Sequence, residues 1–448
     1  MTSLARACAA LRTYSNPRML VMLALGFSSG LPLMLTGNTF GYWLRDAGSS
    51  LTAIGFISWV GTTYALKFLW APLIDRSGPP LLGSLGRRRG WMLVSQIFLV
   101  AGLFGMAAWG PEHGLVVLGA IALIVAFASA TQDTVIDAWR IETATNDAEL
   151  GGLTSAYQLG YRVALLATDA LILIAAERVG WNASYFACGL AMVVGIAATF
   201  IATEPFRADA AIDSQLRQRP LGSFRGIRDA IIGPFVVFFR THGWLALLML
   251  VTICLYRLPD FIMGPMANPL YHDIGLSKDY VGGVRLTIGL VASFAGIAAG
   301  GAFVIRFGTM RALILGGVMQ AVAVAAFAAL ARPAPSLTLF SAVMAGDNFS
   351  TSFAGVALIA YMSSLTSLGY TATQYALLSS VYAWAGRMLK GFSGSIVDGL
   401  KAGHGLMGAY EIFFIGAGAI GIPAIVLFML LQGLSRKSRE PRISDPAA

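Results

Sequence analysis

The chain has 448 residues, of which 57% are hydrophobic and 12% are charged. Soluble domains carry about 25% charged residues, so this composition excludes an ordinary soluble protein. The formal net charge is +9, but the basic residues are not clustered on one element, which argues against a nucleic acid partner. The three cysteines, Cys8, Cys188 and Cys254, are scattered and match neither a disulfide framework nor a metal site.

Apolar runs of about 20 residues, the length that crosses a bilayer, recur about twelve times along the chain. Their approximate limits are 18–41, 52–74, 91–110, 114–140, 152–176, 182–203, 243–270, 280–305, 311–331, 336–365, 372–398 and 408–432. The first run is too long for a cleaved signal peptide, and further spans follow it. The sequence therefore predicts an all-α integral membrane protein of about twelve transmembrane helices.

Basic residues are concentrated in alternate connections, which sets the orientation of the spans. One side has about 20 Lys and Arg residues and the other about 5, and the richer side is read as cytoplasmic. That side includes both termini, the loop at 75–90 and the connection at 204–242. We therefore expect both termini to be cytoplasmic, which agrees with an even number of spans.

The longest connection divides the spans six and six. The predicted domains are an N-terminal six-helix bundle (1–203), a cytoplasmic linker (204–242), a C-terminal six-helix bundle (243–432) and a cytoplasmic tail (433–448). A weak internal repeat supports two halves, because Gln132-Asp133 in the fourth span corresponds to Asp347-Asn348 in the tenth. Such halves resemble the major facilitator arrangement, in which substrate is expected near the midplane between them.

Specific motifs extend this resemblance. The loop with Asp75-Arg76 and Gly86-Arg87-Arg88-Arg89-Gly90 resembles the facilitator signature between spans 2 and 3. Further stretches are GFSSGLPL (26–33), IGFISWVGTTYALKFLWAPLIDR (54–76), ASATQDTVIDAWR (128–140), LGYR (159–162), LYRLPD (255–260), DNFSTSFAGVALIAYMSSL (347–365) and TATQYALLSSVYAWAGR (371–387). Together they are similar to the AmpG-type muropeptide permeases of Gram-negative bacteria, from about Asn16 to Gly399.

The resemblance implies proton-driven uptake of anhydro-muropeptides across the bacterial inner membrane. Arg257-Leu258-Pro259-Asp260 stands where that family commonly has Lys-Leu-Gly-Asp, and Asp347 stands where it often has Glu. The best-known members also have further C-terminal hydrophobic segments, whereas this chain stops after its twelfth span. Siderophore permeases and acetyl-CoA transporters share the KFLWAP-type and TQD-type signatures, so another bulky polar ligand, such as a siderophore, is the alternative substrate.

Five ionisable residues inside the spans are candidates for proton coupling: Lys67, Asp133, Asp137, Asp260 and Asp347. A carboxylate in hydrocarbon costs at least ~2.5 kcal/mol, so it is normally retained only where it faces a polar cavity or a partner. These charges therefore indicate a polar pathway through the membrane.

Asp133 is the leading candidate, with Lys67 or Arg162 as its exchangeable partner. Asp133 and Asp137 are four residues apart and share one helix face, and Arg140 lies one turn beyond Asp137. The alternative is a static ion pair that only makes the charges tolerable in lipid, and Asp137 in particular has a simple partner in Arg140.

Eight side chains are candidates for binding the substrate. A muropeptide has carboxylates, amides and sugar hydroxyls, which call for cations, amide side chains and aromatic rings. The candidates are Gln132, Tyr161, Arg162, Tyr256, Arg257, Asn348, Gln374 and Arg387. As alternatives, a buried Gln or Asn joins helices, and a Tyr anchors the membrane interface.

Prolines predict an interrupted seventh span beside Arg257 and Asp260. Pro259, Pro265 and Pro269 each lack a backbone N–H and clash with the preceding turn. Interrupted helices in transporters line the site or act as gates, and a passive kink is the alternative.

Asp75, Arg76 and Arg87 are expected to close a cytoplasmic gate through ion pairs and helix-end contacts. For the arginines, a purely topogenic charge is the alternative. Gly26, Gly30 and Gly61 are expected to be points of close helix packing.

A membrane enzyme or a receptor finds no support, because the sequence has no paired-His metal site, nucleophile elbow or phosphate loop. A channel fits less well, since charge is scattered through both halves rather than placed in a selectivity ring. The sequence predicts a secondary transporter for a small-molecule substrate in a lipid bilayer. It is expected to act as a monomer, to use the proton gradient without a cofactor, and to open to alternate sides by rocking of its two bundles.

Overall fold

A computed structural model describes residues 17–49, 58–79, 82–205, 232–234, 236–241, 243–276, 278–331, 336–367, 370–389 and 392–437. Regular structure in these ranges is helical and includes no β-strand. The all-α membrane fold predicted from the sequence is confirmed.

The helices up to residue 201 are α1 (Pro17–Leu35), α2 (Asn38–Asp46), α3 (Thr63–Leu66), α4 (Ala71–Arg76), α5 (Arg87–Trp109), α6 (Leu115–Thr143), α7 (Asp147–Leu166), α8 (Ile172–Val179), α9 (Trp181–Ala191) and α10 (Val193–Ile201). Short 3-10 turns are Ser58–Thr62, Lys67–Leu69, Gly83–Leu85 and Pro111–His113, and Ala167–Leu171 is a π-helical turn that joins α7 to α8.

The later helices are α11 (Leu245–Tyr256), α12 (Leu258–Asp273), α13 (Lys278–Val284), α14 (Leu290–Phe307), α15 (Thr309–Ala326), α16 (Leu337–Ser364), α17 (Thr371–Leu389), α18 (Ser393–Ala419) and α19 (Ile422–Lys437). A π-helical turn (Arg285–Gly289) precedes α14, and a 3-10 turn (Phe327–Leu330) follows α15.

Nine helical stretches in the described ranges are long and apolar enough to cross a membrane. They are Pro17–Leu44, Arg87–Trp109, Leu115–Thr143, Asp147–Val179, Trp181–Ile201, Leu245–Tyr271, Tyr280–Phe307, Thr309–Leu330 and Ser393–Gly433. The predicted span at 52–74 begins outside the described residues, and from residue 58 to 76 it consists of short helical turns rather than one long helix.

The break between the last two predicted spans falls inside the predicted connection at 399–407. Helix α18 runs from Ser393 to Ala419 with one non-helical residue, Gly405, at φ 70° and ψ 173°. This left-handed φ is accessible to glycine because glycine lacks a Cβ atom. The turn that separates the two spans is therefore a single residue.

The chain divides into two compact units. Unit 1 is Met1–Gly243 with the segment Met362–Ser380, and unit 2 is Trp244–Tyr361 with Val381–Ala448. Helix α17 begins in unit 1 and continues into unit 2. Most of the predicted linker and the end of the predicted tail lie outside the described residues, and the predicted domain limits stay a prediction.

Unit 1 is built around a close approach of α1 and α7. A Cβ atom added to Gly26 would lie 2.3 Å from the Tyr157 carbonyl oxygen, and one added to Gly160 would lie 1.9 Å from that of Leu23. The packing role expected of Gly26 is confirmed, as is that of Gly30, whose added Cβ would lie 2.8 Å from the Tyr161 carbonyl oxygen. The expectation for Gly61 is wrong, because no described atom comes within 4 Å of its added Cβ.

Unit 2 has its own apolar core between α12, α15, α16 and α18. Leu270, Phe327, Phe340 and Phe414 are fully buried in it, with the Phe327 and Phe414 rings stacked at 5.4 Å. These aromatic side chains fill the space between helices whose outer faces remain apolar, as a protein surface in lipid requires.

The predicted interruption of the seventh span is present at one of the three prolines. Helix α11 ends at Tyr256, Arg257 has φ −96° and ψ 0°, and α12 starts at Leu258. Pro259 is the second residue of α12, where a missing N–H is tolerated because first-turn N–H groups have no helical acceptor. The prediction is wrong for Pro265 and Pro269, which lie inside the continuous helix α12.

Candidate functional site

A buried ion pair joins Lys67 and Asp133 in unit 1. Lys67 Nζ lies 2.5 Å from Asp133 Oδ2. The second carboxylate oxygen, Oδ1, accepts hydrogen bonds from Ser29 Oγ at 2.9 Å and from the Tyr157 hydroxyl at 2.7 Å. Lys67 is only 7% exposed, and three different helical segments supply the neighbours that hold the Asp133 carboxylate.

The same lysine also faces a second carboxylate. Asp137 Oδ2 lies 3.8 Å from Lys67 Nζ, and Asp137 Oδ1 lies 3.0 Å from Arg140 Nη2. The latter contact is an ion pair without good hydrogen-bond geometry, since no hydrogen-bond donor among the described residues is aligned with Oδ1. Asp133, Lys67, Asp137 and Arg140, here called the charge chain, therefore alternate in sign.

Arg140 connects the charge chain to the segment Met362–Ser380 of unit 1. Its Nη2 donates to Ser363 Oγ at 3.1 Å. Its guanidinium also lies over the rings of Tyr157 and Tyr375, at 5.2 Å and 5.4 Å from their centroids. Arg140 is fully buried, so these contacts replace water around its charge.

Arg88 is the centre of a second buried cluster in unit 1, here called the arginine cluster. Its Nη2 lies 2.8 Å from Asp75 Oδ1 and 2.5 Å from Glu142 Oε1, and its Nε donates to Glu142 Oε2 at 3.0 Å. Arg87 Nη2 lies 3.5 Å from Glu142 Oε2. Arg88 itself is fully buried, so two carboxylates compensate one interior guanidinium.

Asp75 also binds the beginning of α17. It accepts hydrogen bonds from the backbone N–H groups of Ala372 at 3.1 Å and Thr373 at 2.9 Å, and from the Thr373 hydroxyl at 2.8 Å. The first N–H groups of a helix have no acceptor within the helix, and a negative charge there is favoured by the helix dipole. Arg76 Nη2 donates to the neighbouring Tyr370 hydroxyl at 3.1 Å.

Glu204 holds the beginning of α5 in the same manner. Its carboxylate accepts from the backbone N–H of Arg88 at 2.7 Å and of Arg89 at 3.0 Å. Burial raises the pKa of Glu204 above its ordinary value, although the two N–H donors act against this shift. The helix that carries Arg88 is thus fixed at its first turn by a remote carboxylate.

Unit 2 contains its own charged cluster at the break between α11 and α12. Arg257 Nη1 lies 2.9 Å from Asp260 Oδ2 and donates to the Thr351 carbonyl at 3.3 Å. Asp260 Oδ1 accepts from Thr351 Oγ1 at 3.4 Å. Asp347 lies on the same helix as Thr351, and its Oδ1 has no hydrogen-bond partner within the described part of the chain. The break in the helix therefore places an Arg–Asp pair against α16.

Two predicted substrate-binding residues, Asn348 and Tyr256, are close to this cluster in sequence, and both contact neighbouring helices of unit 2. Asn348 donates to the Met344 carbonyl at 2.9 Å and accepts from Ser293 Oγ at 3.2 Å. Tyr256 is 2% exposed, and its hydroxyl donates to the Leu313 carbonyl at 2.9 Å. The structure thus places Tyr256 in helix packing, because its ring lies against the helix α15.

Two further candidates are buried in unit 1. Gln132 donates to Ser28 Oγ at 3.1 Å, which is the helix-joining role given above as the alternative. Gln374 accepts from the Ser367 backbone N–H at 2.6 Å and donates to the Pro234 carbonyl at 3.0 Å, so it closes the turn before α17. The oxygen and nitrogen of the Gln374 amide are both engaged, whereas Gln132 Oε1 has no hydrogen-bond partner among the described residues.

The remaining substrate-binding candidates are either partly exposed or have side chains outside the described residues. Arg162 and Tyr161 are half-buried on α7, with the Tyr161 ring 5.8 Å from that of Tyr157. Arg387 belongs to α17, but its side chain lies outside the described residues. The predicted pairing of Asp133 with Lys67, and that of Asp137 with Arg140, are both confirmed as contacts; their roles in transport stay predictions.

Sequence reasoning missed the two residues that complete the arginine cluster. Glu142 was not singled out, although it lies in the last turn of α6, two residues after Arg140. Arg87 was the arginine of this loop assigned to the gate, whereas burial singles out Arg88 from Arg87 and Arg89. A distinguishing signal was available in Glu142, since it is an acid at the end of an apolar span.

The geometry offers no metal site in the described ranges, where no three His, Cys, Asp or Glu side chains converge. An apolar groove of about 530 Å³ in unit 1 is lined by residues that include Trp91, Phe98, Phe127 and Thr131, and it contains none of the charged residues above.

Comparison with known proteins identifies the family. The profile of the Major Facilitator Superfamily matches residues 22–386. The chain belongs to this superfamily. It is 33% identical over 425 residues to the anhydromuropeptide permease of Escherichia coli (strain K12), covering 94% of this chain and 81% of the relative. It is 28% identical to the putative transporter AmpG 4 of Rickettsia conorii, over 94% of this chain and 98% of that protein.

This facilitator is thus a member of the AmpG-type muropeptide permease family and a transporter rather than an enzyme. Solved structures agree on the fold. The proton:xylose symporter XylE matches with a TM-score of 0.61 at 14% identity, over 92% of this chain and 94% of that chain. A bacterial homologue of the iron transporter ferroportin matches with a TM-score of 0.62 at 14% identity, over 93% and 99%. The protein is therefore a multi-pass membrane transporter for a small-molecule substrate.

Proposed function

We propose that this facilitator imports anhydro-muropeptides into the cytoplasm across the bacterial inner membrane, driven by the proton gradient. The observation that carries the proposal is the 33% identity to the Escherichia coli anhydromuropeptide permease over 94% of this chain. In this proposal both termini are cytoplasmic, the transporter acts as a monomer, and it needs no cofactor. No observation favours a siderophore as the substrate.

Asp133 is the proposed proton-coupling residue, with Lys67 as its partner. Two charges buried within 2.5 Å of each other stabilise one another strongly where water is scarce. A proton on Asp133 removes one of the two charges and weakens the pair. The hydrogen bonds from Ser29 and Tyr157 to Oδ1 remain available to the neutral acid, which keeps the side chain in place during the change.

Unit 2 supplies the second proposed group of functional residues. Arg257 and Asp260 form an ion pair beside the helix break, and Asp347 Oδ1 lacks a partner among the described residues. A buried carboxylate oxygen without a partner is suited to binding a proton or a donor group of the substrate. Arg162, Arg257 and Arg387 provide cations for the peptide carboxylates, and Asn348 provides an amide for sugar hydroxyls.

Asp75, Arg76 and Arg87 are the proposed gate residues. Asp75 and Arg76 bind Tyr370, Ala372 and Thr373 at the beginning of α17, a helix that continues into unit 2. Opening on this side requires these hydrogen bonds to break. The bonds are therefore suited to stabilising one state of an alternating-access cycle.

The test is uptake by the purified full-length chain in proteoliposomes. Labelled anhydro-muropeptide is supplied outside with an imposed inward proton gradient, with no gradient, and with a protonophore. We expect accumulation only with the gradient, and no accumulation of a labelled ferric siderophore under the same conditions. Gradient-driven siderophore uptake without muropeptide uptake would overturn the proposed substrate, and equal muropeptide uptake without a gradient would overturn proton coupling.

A further inference from the structure

Arg140 occupies an unusual position for a fully buried arginine. It touches Asp137 on its own helix, Tyr157 on α7, and both Ser363 and Tyr375 in the segment Met362–Ser380. A guanidinium presents five donors in a rigid planar fork, whereas an ammonium is a compact point charge with three donors. The charge chain therefore ends in a residue that holds a second, remote part of unit 1.

We propose that Arg140 is a positioning residue that transmits the charge state of Asp133 to the segment Met362–Ser380. The inference rests on the proposed function only in taking Asp133 as the residue that binds the proton. Arg140 touches neither the proton site nor the substrate in this account. It acts through Asp137 at one end and through Ser363 and Tyr375 at the other.

The electrostatic argument starts from the net charge of the chain. With Asp133, Lys67, Asp137 and Arg140 all ionised, two positive and two negative charges cancel. A proton on Asp133 leaves one uncompensated positive charge in a buried cluster. Lys67 then shifts toward Asp137, which already lies 3.8 Å from its Nζ, and competes with Arg140 for this carboxylate.

Three tyrosines are the further titratable groups that the described residues place around the charge chain. Tyr64 lies near the Lys67–Asp133 pair, Tyr157 donates to Asp133, and Tyr375 stacks on Arg140. A tyrosine hydroxyl is neutral in the range where a carboxylate binds a proton. The uncompensated positive charge therefore remains on Lys67 and Arg140.

The expected result is a weaker hold of Arg140 on Ser363 and Tyr375. Lys67 and Arg140 then share only the Asp137 carboxylate, and repulsion between them pushes the guanidinium away from its present position. Because α16 ends at Ser364 and α17 begins at Thr371, the held segment includes the connection between two helices that extend into unit 2. Protonation of Asp133 near the middle of α6 therefore changes the contacts of Arg140 at the end of that helix.

The experiment measures access to a reporter cysteine in the held segment and requires no substrate. Ala376→Cys is introduced into a full-length chain in which Cys8, Cys188 and Cys254 are replaced by alanine. Ala376 is fully buried on α17, so alkylation by N-ethylmaleimide requires the segment to open. Each rate is divided by the rate for the unfolded chain at the same pH, which removes the pH dependence of the thiol itself.

We expect the normalised rate in nanodiscs to rise about tenfold on acidification, the factor associated with one hydrogen bond to a charged group. Asp133→Asn and Arg140→Gln should each give the high rate at every pH. Arg140→Lys should keep the pH dependence with a smaller amplitude, because its charge remains but its fork is lost. Ser363→Ala leaves all charges in place and should raise the rate while keeping the pH dependence.

Arg18→Gln is the matched control, since Arg18 pairs with Glu149 in a more exposed ion pair at 3.0 Å. It should leave both the rate and its pH dependence unchanged. The proposal is overturned if Arg140→Gln retains the pH dependence of the reference protein, if Ser363→Ala leaves the rate unchanged, or if the reference rate does not respond to pH. Failure of muropeptide uptake with a normal reporter response would overturn the proposed substrate and leave this coupling standing.

Discussion

Asp75 and Thr373 are 298 positions apart in the chain, yet Asp75 Oδ2 accepts hydrogen bonds from both the backbone N–H and the hydroxyl of Thr373, at 2.9 Å and 2.8 Å. The other oxygen of the same carboxylate binds Arg88 and the Ala372 N–H. One acid at the end of α4 thus connects the arginine cluster to the first turn of α17.

Replacing Asp75 by alanine should loosen the beginning of α17. The change removes a helix cap, which contributes about 1 kcal/mol, and leaves Arg88 with only one of its two carboxylates. We expect a lower Tm for the detergent-purified chain and faster alkylation of Ala376→Cys at every pH. Asp147→Asn, an exposed acid in the first turn of α7, is the control and should change neither measurement.

The Lys67–Asp133 pair should show strong coupling in a double-mutant cycle. Lys67→Met leaves a buried carboxylate without its cation, which costs about 3–5 kcal/mol, whereas Lys67→Met combined with Asp133→Asn removes both charges and should recover much of that loss. Thermal unfolding of the four proteins measures the coupling. Purely additive effects would show that the two side chains do not stabilise one another.

Transport should respond differently from stability in the same variants. Asp133→Asn should abolish gradient-driven accumulation of anhydro-muropeptide in proteoliposomes, because its amide does not bind the transported proton. Asp46→Asn, on an acid that accepts a hydrogen bond from Trp181 Nε1 at 2.9 Å, should leave uptake unchanged. Substantial accumulation by a folded Asp133→Asn protein would be incompatible with the proposed role.

The stability of the folded chain should depend on both the charge and the planar guanidinium of Arg88. Arg88→Met leaves Asp75 and Glu142 buried without their cation and should lower the free energy of unfolding by about 3–5 kcal/mol. Arg88→Lys should recover only part of this, since one ammonium does not reproduce the two-sided contact. Size-exclusion profiles and Tm values provide the measurement, with Arg18→Met as a control that should cost about 1 kcal/mol or less.

Glu204 should make stability depend on pH. Because burial raises its pKa in the folded chain, the folded state binds a proton more readily than the unfolded state does. Its contribution is most favourable below the ordinary Glu pKa of about 4.3 and is lost as the pH rises through the higher folded value. The Tm of the unmodified chain minus that of Glu204→Gln should therefore fall as the pH rises from about 4 to about 7. A difference that grows with pH would contradict this sign.

Gly160 should be far less replaceable than a glycine with space around it. An alanine Cβ at Gly160 would lie 1.9 Å from the Leu23 carbonyl oxygen, so α1 and α7 must separate to admit it. Gly264 on α12 has no described atom within 4 Å of an added Cβ. We expect Gly160→Ala to reduce the yield of folded protein sharply and Gly264→Ala to preserve it, as measured by fluorescence-detected size exclusion.

Several features of the fold follow from short-range patterns in the sequence. Runs of apolar residues predict the spans, and the Asp133–Asp137–Arg140 spacing predicts that these side chains share one face of α6. Both are helical regularities that depend only on neighbouring residues. For the same reason, the prediction that Asp137 contacts Arg140 was correct.

Other features depend on contacts between distant residues, and the sequence did not reveal them. Glu142 and Glu204 bind Arg88 from two different elements, by its guanidinium and by its backbone N–H. The Tyr256 ring was predicted to bind substrate but is buried against α15. In each case the side chain has several possible partners, and only the packing of the helices selects one.

The sequence by itself predicted a membrane transporter, because apolar spans with interior charges are stable only in a bilayer and around a polar pathway, and the facilitator type followed from the resemblance of its motifs. The tertiary structure decided which partner each buried charge meets: Lys67 meets Asp133, Arg88 meets Asp75 and Glu142, and Arg140 meets the Ser363 hydroxyl. The physical reason is that a buried charge is stable only beside its partner, and partners more than 60 or 200 positions away are brought together by helix packing alone.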